Sequence, residues 1–394
     1  MKIAMMTNSY KPYIGGVPIS IERLSEGLRA NGHEAVVFAP NYKEQETEEN
    51  VIRYHSVIKG IVNGFSVPNS FDPGIEKQFK AGKFDVIHVH HPMLIGRTAR
   101  YLSKKYDVPV CFTYHTRYEQ YLHYIKAPFL EGVIPNYVNQ YINGCDMVFA
   151  PTYSTQAYLE EIGSEVKIAV LPTGLDTQSF ETNTEEAAGL RKTLLDGKQH
   201  LFCTVSRLAK EKNLDFLFRV LAKRKQNHGS DFRFAIVGEG PYQKQLHSLA
   251  EELKLQEEII FVGKVPNEQV KSYCKAADLF LFSSLSETQG IVLLEAMAAA
   301  TPVLAVKASG VRDIVVNGRN GYMTYLSEIE FESKLHDLLR QDRAHLEKGA
   351  LETAGKYEMR EIAMRAAVYY NIAMENHRQE AKQLGRISYF NCRR

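Results

Sequence analysis

Short apolar runs rich in β-branched residues alternate along the chain with segments of helical hydrophobic spacing. Helical spacing is clearest over 19–31, 214–225 and 242–253. Strand–helix alternation with nearly continuous apolar strands predicts an α/β fold with parallel sheets covered on both faces. The predicted strands are 2–7, 34–39, 85–90, 108–114, 147–151, 167–171, 201–206, 232–237, 259–262, 279–283 and 302–306.

The alternation breaks at 172–197, which is polar and rich in turn residues, and restarts at Leu201. We therefore predict two Rossmann-like domains, 1–172 and 173–365, with a hinge near 172–180. A C-terminal helix of about 366–394 is expected to pack back on the first domain. Open α/β sheets bind ligands at the carboxyl ends of their strands, so the cleft between the two domains is the expected site.

Composition excludes several classes of protein. A formal net charge of +2 over 394 residues favours neither nucleic acid nor an acidic partner. No apolar run approaches the ~18 residues of a membrane span, and the first residues read as a strand rather than a signal peptide. The five cysteines are scattered and include no CxxC, which argues against a disulfide framework or a zinc site and suits a reducing cytoplasm.

The stretch 283–302 (SSLSETQGIVLLEAMAAATP) has the most specific chemistry. An apolar helix is predicted from Ile291 onward, and Glu295 shares its helix face with aliphatic residues only. Such a carboxylate is costly unless a partner donates hydrogen bonds to it. Glu287 lies eight residues earlier, in the loop that leads into the helix. The unpaired N–H groups at the helix start, around Gly290, form a candidate anion site between two carboxylates that can bind sugar hydroxyls.

Two further loops follow predicted strands and suit phosphate groups. The turn YIGGV (13–17) has two glycines, which allow backbone N–H groups to approach an anion closely. The segment SRLAKEKN (206–213) offers Arg207 as a planar fork and Lys212 as a point cation for a pyrophosphate. The turns VGEGP (237–241) and GKV (263–265) follow later strands and either shape a nucleobase pocket or only turn the chain.

Histidines cluster in DVIHVHHP (85–92) and at His115. His88 and His90 alternate with apolar residues on one strand, and we predict core or helix-contact roles because no carboxylate completes a metal set nearby. His115 ends a strand at the predicted cleft, where it can hydrogen-bond a sugar hydroxyl or shuttle a proton.

Each of these motifs also has a purely structural interpretation. Ser286 and Gln289 fit a capping box, so their loop can simply start a helix. Glu295 can pair with a buried arginine. The glycine turn can be an ordinary strand-to-helix connection, and SRLAKEKN can be a solvated charge run in which Lys210 and Glu211 have no function.

Taken together, the segments resemble the retaining glycosyltransferase family 4, which has the GT-B architecture. The matching segments, in order over nearly the whole chain, are YIGGV, SRLAKEKN, VGEGP, FVGKV and an E-x7-E formed by Glu287 and Glu295. The resemblance implies two Rossmann-like domains facing across a deep cleft. The N-terminal domain would bind the acceptor and the C-terminal domain a nucleotide-sugar donor, with UDP-glucose the expected donor and no metal ion.

The resemblance also implies roles for individual residues. Glu295 would bind the ribose hydroxyls, Glu287 the hydroxyls of the transferred hexose, and His115 the sugar beside the reacting carbon. Arg207 and Lys212 would bind the phosphates. Other expected donor contacts come from the glycine turn, the helix start and the predicted nucleobase turns, namely Gly15, Gly16, Ser206, Gly238, Lys264, Val265, Thr288, Gly290, Ile291 and Val292.

The acceptor is indicated by the segment 114–124 (YHTRYEQYLHY), which looks like bacterial and plant members that transfer glucose from UDP-glucose to diacylglycerol. Its residues Tyr121, Leu122 and Tyr124 offer apolar surface.

A basic amphipathic segment, RTARYLSKKY (97–106), can lie on anionic lipid. Alternatively, it is an ordinary sheet-covering helix with a solvated face. Its basic residues are Arg97, Arg100, Lys104 and Lys105, and its apolar residues include Tyr101 and Leu102.

The predicted function is transfer of a hexose to a lipid acceptor by a cytoplasmic enzyme bound peripherally to the inner face of the cell membrane. Other acceptors, namely a small polyol, a carboxylic acid or a polysaccharide, stay open. So do a GT-B-like epimerase or phosphorylase and a non-catalytic nucleotide-sugar binding protein. No prediction is made for the oligomeric state.

Overall fold

The computed structural model describes residues 1–13, 15–43, 48–58, 67–118, 133–177 and 184–391, with side chains to residue 379. The chain forms two compact units. The first unit is Met1–Gly174 together with the C-terminal helix from Met359, and the second unit is Leu175–Glu358.

The first unit is built on a parallel sheet whose strand order is β3-β2-β1-β6-β7-β8-β9 among the described residues. Two further short strands, β4 and β5, pair antiparallel with each other. The sheet is buried on both faces, as expected for apolar parallel strands. The strands are β1 Lys2–Met6, β2 Glu34–Pro40, β3 Val51–Tyr54, β4 Ser56–Ile58, β5 Val67–Pro68, β6 Val86–Val89, β7 Val110–Thr113, β8 Met147–Ala150 and β9 Ile168–Val170.

Helices cover this sheet because their apolar faces match its surfaces. The helices before the second unit are α1 Gly16–Ala30, α2 Pro73–Gly82, α3 Ile95–Tyr106, α4 Val133–Ile142 and α5 Tyr153–Glu161. Helix α1 begins three residues before the predicted start, because Gly16 and Pro18 are tolerated in a first helical turn.

The second unit repeats the arrangement with a parallel sheet of order β12-β11-β10-β13-β14-β15. Its strands are β10 His200–Val205, β11 Phe232–Val237, β12 Ile259–Gly263, β13 Leu279–Phe282, β14 Val303–Val306 and β15 Gly321–Thr324. Its helices are α6 Thr184–Leu195, α7 Leu214–His228, α8 Gln243–Glu252, α9 Asn267–Ala276, α10 Ile291–Ala298, α11 Glu328–Arg340 and α12 Ala344–Gly355.

The last helix, α13 Met359–Asn391, is 33 residues long and packs on α1 of the first unit. The two helices approach closely at Gly27, where an added Cβ would lie 2.8 Å from the Cβ of Ala363. The phenol of Tyr370 is buried against the first sheet.

The predicted α/β fold class is confirmed, and the eleven predicted strands are all present with ends shifted by no more than two residues. Strands β3, β4, β5 and β15 are missed by the sequence reasoning. They are only two to four residues long, and β3 contains the polar Arg53, so none has a usable hydrophobic period. Among the described residues, none of the helices contains an apolar stretch of the length that a membrane span requires.

Candidate functional site

The loops that follow β10 and β13 meet at one edge of the second sheet. These two strands are hydrogen-bonded neighbours, with Phe202 paired to Leu279 and Cys203 to Phe280. The strand order reverses at this point, because β11 lies on the other side of β10 and β14 on the other side of β13. Ligands of open α/β sheets bind at such a switch point, outside the carboxyl ends of the strands.

Hydrogen bonds from Ser283 hold the two loops together. Its hydroxyl lies 3.0 Å from the carbonyl oxygen of Lys212 and 2.9 Å from that of Asn213. The Asn213 amide in turn donates to the Ser283 carbonyl at 3.3 Å. Asn213 has φ 55°, a left-handed conformation that asparagine tolerates better than most residues. The sequence reasoning did not identify Ser283 or Asn213 as supports of the site.

Lys212 and Glu287 form an ion pair across the junction, with 2.6 Å between Lys212 Nζ and Glu287 Oε1. Both side chains are largely buried, at 19% and 16% exposure. Burial raises the pKa of Glu287, but the charge and hydrogen bond of Lys212 and a hydrogen bond from Ser284 outweigh it, so the pKa lies below its ordinary value. Glu287 is therefore an ionised acceptor with further lone-pair capacity.

Arg207 pairs with Glu211 within the same loop, at 2.7 Å between Arg207 Nη2 and Glu211 Oε1. The Arg207 side chain is still 41% exposed. Glu211 therefore holds the side chain of a candidate phosphate ligand, whose role in binding stays a prediction.

Helix α10 begins at the predicted position, directly after Gly290, which has φ 79°. No side chain caps this helix, so the capping box expected from Ser286 and Gln289 does not form. Glycine replaces it as the N-cap because the chain enters the helix in a left-handed conformation. Glu295 is 5% exposed and is buried among the apolar residues of α10. The pKa of the Cys274 thiol is raised by a hydrogen bond with Cys203, by burial and by the negative charge of Glu295.

Two serine hydroxyls at this edge are buried without a hydrogen-bond partner among the described residues, those of Ser206 and Ser286. Ser206 directly follows β10 and was expected at the site, whereas Ser286 precedes Glu287 and was expected only as a cap. Buried hydroxyls are usually hydrogen-bonded, so both are available to a ligand or to water.

Glycines allow two neighbouring loops to pack closely on the loops that contain Ser206 and Glu287. An added Cβ at Gly238 would lie 2.0 Å from the carbonyl oxygen of Ser206, and one at Gly310 would lie 2.7 Å from that of Glu287. Sequence reasoning noticed Gly238 but not Gly310. Next to the turn that contains Gly238, the Lys264 N–H donates to Glu239 Oε1 at 3.4 Å. The proposed base contacts of Gly238, Lys264 and Val265 stay predictions, as does the anion site formed by Gly290, Ile291 and Val292 with Thr288.

The remaining candidate residues belong to the first unit. Gly15 precedes α1 and Gly16 is its first residue, whereas Ile14 of the same turn lies outside the described residues. His115 follows β7, and its Nε2 lies 2.9 Å from Nδ1 of His90 at the end of β6.

His88 is a helix-contact histidine, as expected, because its Nδ1 lies 2.7 Å from the Tyr370 hydroxyl. Its Nε2 lies 2.7 Å from the Thr113 hydroxyl. The same interpretation of His90 is incomplete, because His90 also contacts His115.

Helix α3 buries Ile95, Ala99 and Leu102, so Leu102 packs in the core rather than on the predicted lipid-facing surface. The helix does have a basic face, but two of its basic side chains contact neighbouring residues. Lys105 pairs with Glu76, with 2.6 Å between Lys105 Nζ and Glu76 Oε1, and the Arg100 guanidinium lies 5.7 Å from the centre of the Tyr141 ring. Residues 121, 122 and 124, expected to add apolar surface, lie outside the described part of the chain. No group of three or more metal-ligating side chains was found among the described residues.

Two family models match the chain. Glycosyltransferase Family 4 matches residues 14–179, and Glycosyl transferases group 1 matches residues 187–352.

Curated relatives agree with these matches. The alpha-monoglucosyldiacylglycerol synthase of Streptococcus pneumoniae is 30% identical over 321 residues, which are 77% of this chain and 71% of that protein. The protein of the same name from Acholeplasma laidlawii is 30% identical over 338 residues, 82% of this chain and 84% of that protein. Among solved structures, HepE of Anabaena in complex with UDP superimposes with a TM-score of 0.76 at 20% identity, covering 94% of this chain and 100% of that one.

The fold is therefore the GT-B fold of glycosyltransferases, as predicted. The chain belongs to glycosyltransferase family 4 and is a hexosyltransferase.

Proposed function

We propose that the enzyme transfers glucose from UDP-glucose to a diacylglycerol at a membrane surface, with retention of the anomeric configuration. The observation that carries the donor part of this proposal is the Lys212–Glu287 pair at the switch point of the second sheet. The acceptor part is supported by two relatives at 30% identity whose name is alpha-monoglucosyldiacylglycerol synthase.

The pair suits a sugar diphosphate. Glu287 is ionised and can accept hydrogen bonds from hexose hydroxyls while it keeps Lys212. The Lys212 ammonium has three donors, so it can hold Glu287 and still bind a phosphate oxygen. Arg207 is held by Glu211 and 41% exposed, which leaves its fork accessible to the diphosphate. HepE of Anabaena, which has the same fold, was solved with UDP.

The leaving group would be UDP. Lys212, Arg207 and the N–H groups at the start of α10 would stabilise the negative charge that develops on its phosphates, and each such donor typically lowers a barrier by about 3–4 kcal/mol. Glu287 is expected to bind the hexose rather than to attack it. We propose attack by the acceptor hydroxyl on the same face that the phosphate leaves, with the departing phosphate oxygen taking the proton. His115 is proposed to hydrogen-bond the sugar, and Glu295 to bind the ribose hydroxyls.

The acceptor proposal includes a membrane-facing surface on the first unit. Helix α3 exposes Tyr101 (50%) and has Leu94, 40% exposed, at its start. Phe71 is 82% exposed and lies beside this helix, because the preceding Ser70 carbonyl accepts a hydrogen bond from Thr98 of α3. Exposed apolar side chains beside basic ones are typical of surfaces that lie on anionic lipid.

The direct test gives the purified enzyme radiolabelled UDP-glucose with and without vesicles of diacylglycerol and anionic phospholipid. We expect label in a lipid product only when diacylglycerol is present. The Glu287→Ala variant serves as the inactive control. Label in water-soluble product that is independent of diacylglycerol would overturn the lipid acceptor but not the donor.

The donor is tested separately by thermal unfolding with UDP-, GDP- and ADP-sugars. A ligand at 100 times its Kd stabilises the folded state by about 2.7 kcal/mol, so the matching nucleotide should raise the unfolding temperature most. We expect UDP-glucose to do so. A larger shift with a GDP- or ADP-sugar would contradict the proposed donor.

The same transfer to a soluble or polysaccharide acceptor is the second candidate. It is favoured by contacts that already engage two basic residues of α3, because Lys105 is paired with Glu76 and the Arg100 guanidinium lies over the Tyr141 ring. The diacylglycerol arm of the labelling experiment distinguishes the two.

A further inference from the structure

His55 and Asp72 form a hydrogen-bonded pair at the carboxyl edge of the first sheet. His55 directly follows β3, and its Nδ1 lies 2.6 Å from Asp72 Oδ2. The same carboxylate oxygen accepts the backbone N–H of His55 at 2.8 Å, and Asp72 Oδ1 accepts the N–H of Gly74 at 2.8 Å. Asp72 is also the N-cap of α2, so the imidazole is attached to a fixed point of the fold.

The two side chains differ in exposure. The side chain of Asp72 is 8% exposed, whereas that of His55 is 80% exposed. An exposed side chain usually populates several rotamers, and fixing it in one of them costs conformational entropy. The bond to Asp72 offsets that cost in the folded protein, so the His55 ring is preorganised for a ligand.

The Asp72 carboxylate determines which nitrogen of the His55 ring has the proton. Burial raises the pKa of Asp72, but hydrogen bonds from His55 and Gly74 outweigh burial, so this pKa lies below its ordinary value. An ionised carboxylate can only accept hydrogen bonds, so Nδ1 is the donor, and Nε2 of the neutral ring has a lone pair. Within the described parts of the chain, the hydrogen bonds of this ring involve Nδ1 alone. Nε2 is therefore an exposed acceptor.

Tyr54 connects this pair to the loop that follows β1. Tyr54 is the last residue of β3, and its hydroxyl donates to the carbonyl oxygen of Thr7 at 2.7 Å. Thr7 directly follows β1, and the chain continues from there to the glycine turn before α1. Ligands of open α/β sheets bind at this edge. His55 therefore lies at the edge of the first unit where an acceptor is expected.

Large apolar side chains are exposed beside the pair. Val57 lies two residues after His55, Phe71 directly precedes Asp72, and both are largely exposed. Exposed apolar side chains around one polar group fit a ligand of matching composition, namely a mostly apolar molecule with a single hydrogen-bond donor. A neutral glyceride with one free hydroxyl has this composition.

We propose that His55 binds the free hydroxyl of the lipid acceptor, with Nε2 accepting the hydrogen bond and the acyl chains lying over Val57 and Phe71. This inference rests on the proposed function and adds the residue that recognises the acceptor. The hydrogen bond orients the acceptor before transfer. It does not remove the proton, which goes to the departing phosphate oxygen when the hydroxyl attacks.

The hydrogen bond is measured by NMR on the full chain labelled with ¹⁵N-histidine, in phosphatidylcholine bicelles and without a sugar donor. Loss of signals in His55→Asn identifies the His55 nitrogens. We expect a proton on Nδ1, and we expect dioleoylglycerol to move the Nε2 signal upfield, as a nitrogen lone pair does when it accepts a hydrogen bond. The dioleate of propane-1,2-diol, which lacks only the hydroxyl, should leave the signal in place, and so should glycerol at the same concentration.

An unchanged Nε2 signal with dioleoylglycerol would overturn the proposal. So would an equal shift with the deoxy analogue, because that shift would report contact with the bilayer alone. An equal shift with glycerol would overturn the lipid as the ligand. None of these measurements uses a sugar donor, so a shift without any transfer from UDP-glucose would contradict the proposed function and leave this assignment intact.

Kinetics of the same variant separate binding of the hydroxyl from removal of its proton. The amide of His55→Asn can still donate to Asp72 but places no group at the Nε2 position. We expect this variant to need about fivefold more dioleoylglycerol in the vesicles for half-maximal transfer, the effect of one neutral hydrogen bond, with no fall in the maximal rate. His345→Asn changes an exposed histidine of the second unit and should behave as wild type.

Two kinetic results would contradict this role of His55. Unchanged half-saturation in His55→Asn would show that the ring does not bind the acceptor. A maximal rate about 10²-fold lower would identify His55 as the general base instead, since a base contributes at least that factor. Unchanged UDP affinity by calorimetry verifies that the variant is folded.

Discussion

At the residue scale, two charged side chains of the second unit were predicted as separate ligand contacts, and the structure joins them in an ion pair. Lys212 and Glu287 lie 75 residues apart in the chain and 2.6 Å apart in space. A largely buried pair is costly to break, because the remaining partner keeps its charge without compensation. Lys212 therefore positions Glu287 in addition to its proposed phosphate contact.

We predict that Glu287→Gln lowers the transfer rate about 10²–10³-fold, because an amide accepts hydrogen bonds from sugar hydroxyls more weakly than a carboxylate and leaves Lys212 without its partner. The measurement is initial-rate UDP release, with circular dichroism to verify folding. Glu328→Gln is the matched control, since Glu328 pairs with Arg219 and Lys223 elsewhere on the second unit. Unchanged turnover in Glu287→Gln would remove this residue from the site.

At the element scale, the start of α10 depends on one backbone conformation. Gly290 has φ 79°, and an added Cβ would lie 3.1 Å from Leu293 Cδ1. The predicted anion site at this helix start depends on that conformation, because it sets the direction in which the chain enters α10.

We predict that Gly290→Ala costs about 1–2 kcal/mol of stability from the left-handed conformation and also weakens UDP binding. Gly197→Ala is a close control, because Gly197 has φ 81° with no atom within 4 Å of an added Cβ. Both variants should unfold at lower urea concentration. Only Gly290→Ala should bind UDP more weakly by calorimetry, and equal affinities in the two variants would argue against an anion site at this helix start.

Helix α3 presents a second element-scale question, whether its basic face binds lipid. We predict that Lys104→Glu/Lys105→Glu reduces co-sedimentation with anionic vesicles several-fold, since each basic residue near such a surface contributes about 1 kcal/mol. The charge-matched control is Lys348→Glu/Lys356→Glu, at two exposed positions of the second unit. Equal sedimentation of both variants would assign α3 to covering the sheet only.

At the scale of the whole molecule, the first unit concentrates buried histidines at one edge of its sheet. Burial lowers the pKa of His88 to about 3 and of His91 to about 4, and His90 and His115 are lowered as well. Each of these groups takes up a proton more readily when the chain is unfolded. Their contribution to stability is fully present above the ordinary pKa of about 6.5 and is lost as the pH falls toward the folded-state values.

We predict that the free energy of unfolding falls between pH 7.5 and pH 5.0 by about 2 kcal/mol for each histidine that stays neutral when folded. The urea midpoint of the protein should therefore fall markedly over the same range. Circular dichroism at the two pH values measures the change. His91→Asn keeps an acceptor for the Asn8 N–H and does not titrate, so the drop should be smaller in this variant. An equal drop in both proteins would show that His91 does not contribute.

Much of this architecture follows from hydrophobic spacing alone. Apolar runs alternating with helical patterns are sufficient for two parallel α/β sheets, because buried strands and amphipathic helices need those periods to bury their side chains. Strands as short as β4, β5 and β15 give no period and escape detection. The loops that bear Arg207, Glu287 and His115 are also identifiable, because each follows a predicted strand.

Which strands are neighbours, and which side chains of their loops meet, is decided only by the tertiary structure. Spacing specifies which side chains are buried but not which strand lies beside which, so it could not place β10 next to β13 or join Lys212 to Glu287. For the same reason it could not show that His90 contacts His115, or that Gly310 packs under Glu287. These contacts depend on how helices cross over the sheet, and that is a property of the packed chain rather than of any local segment.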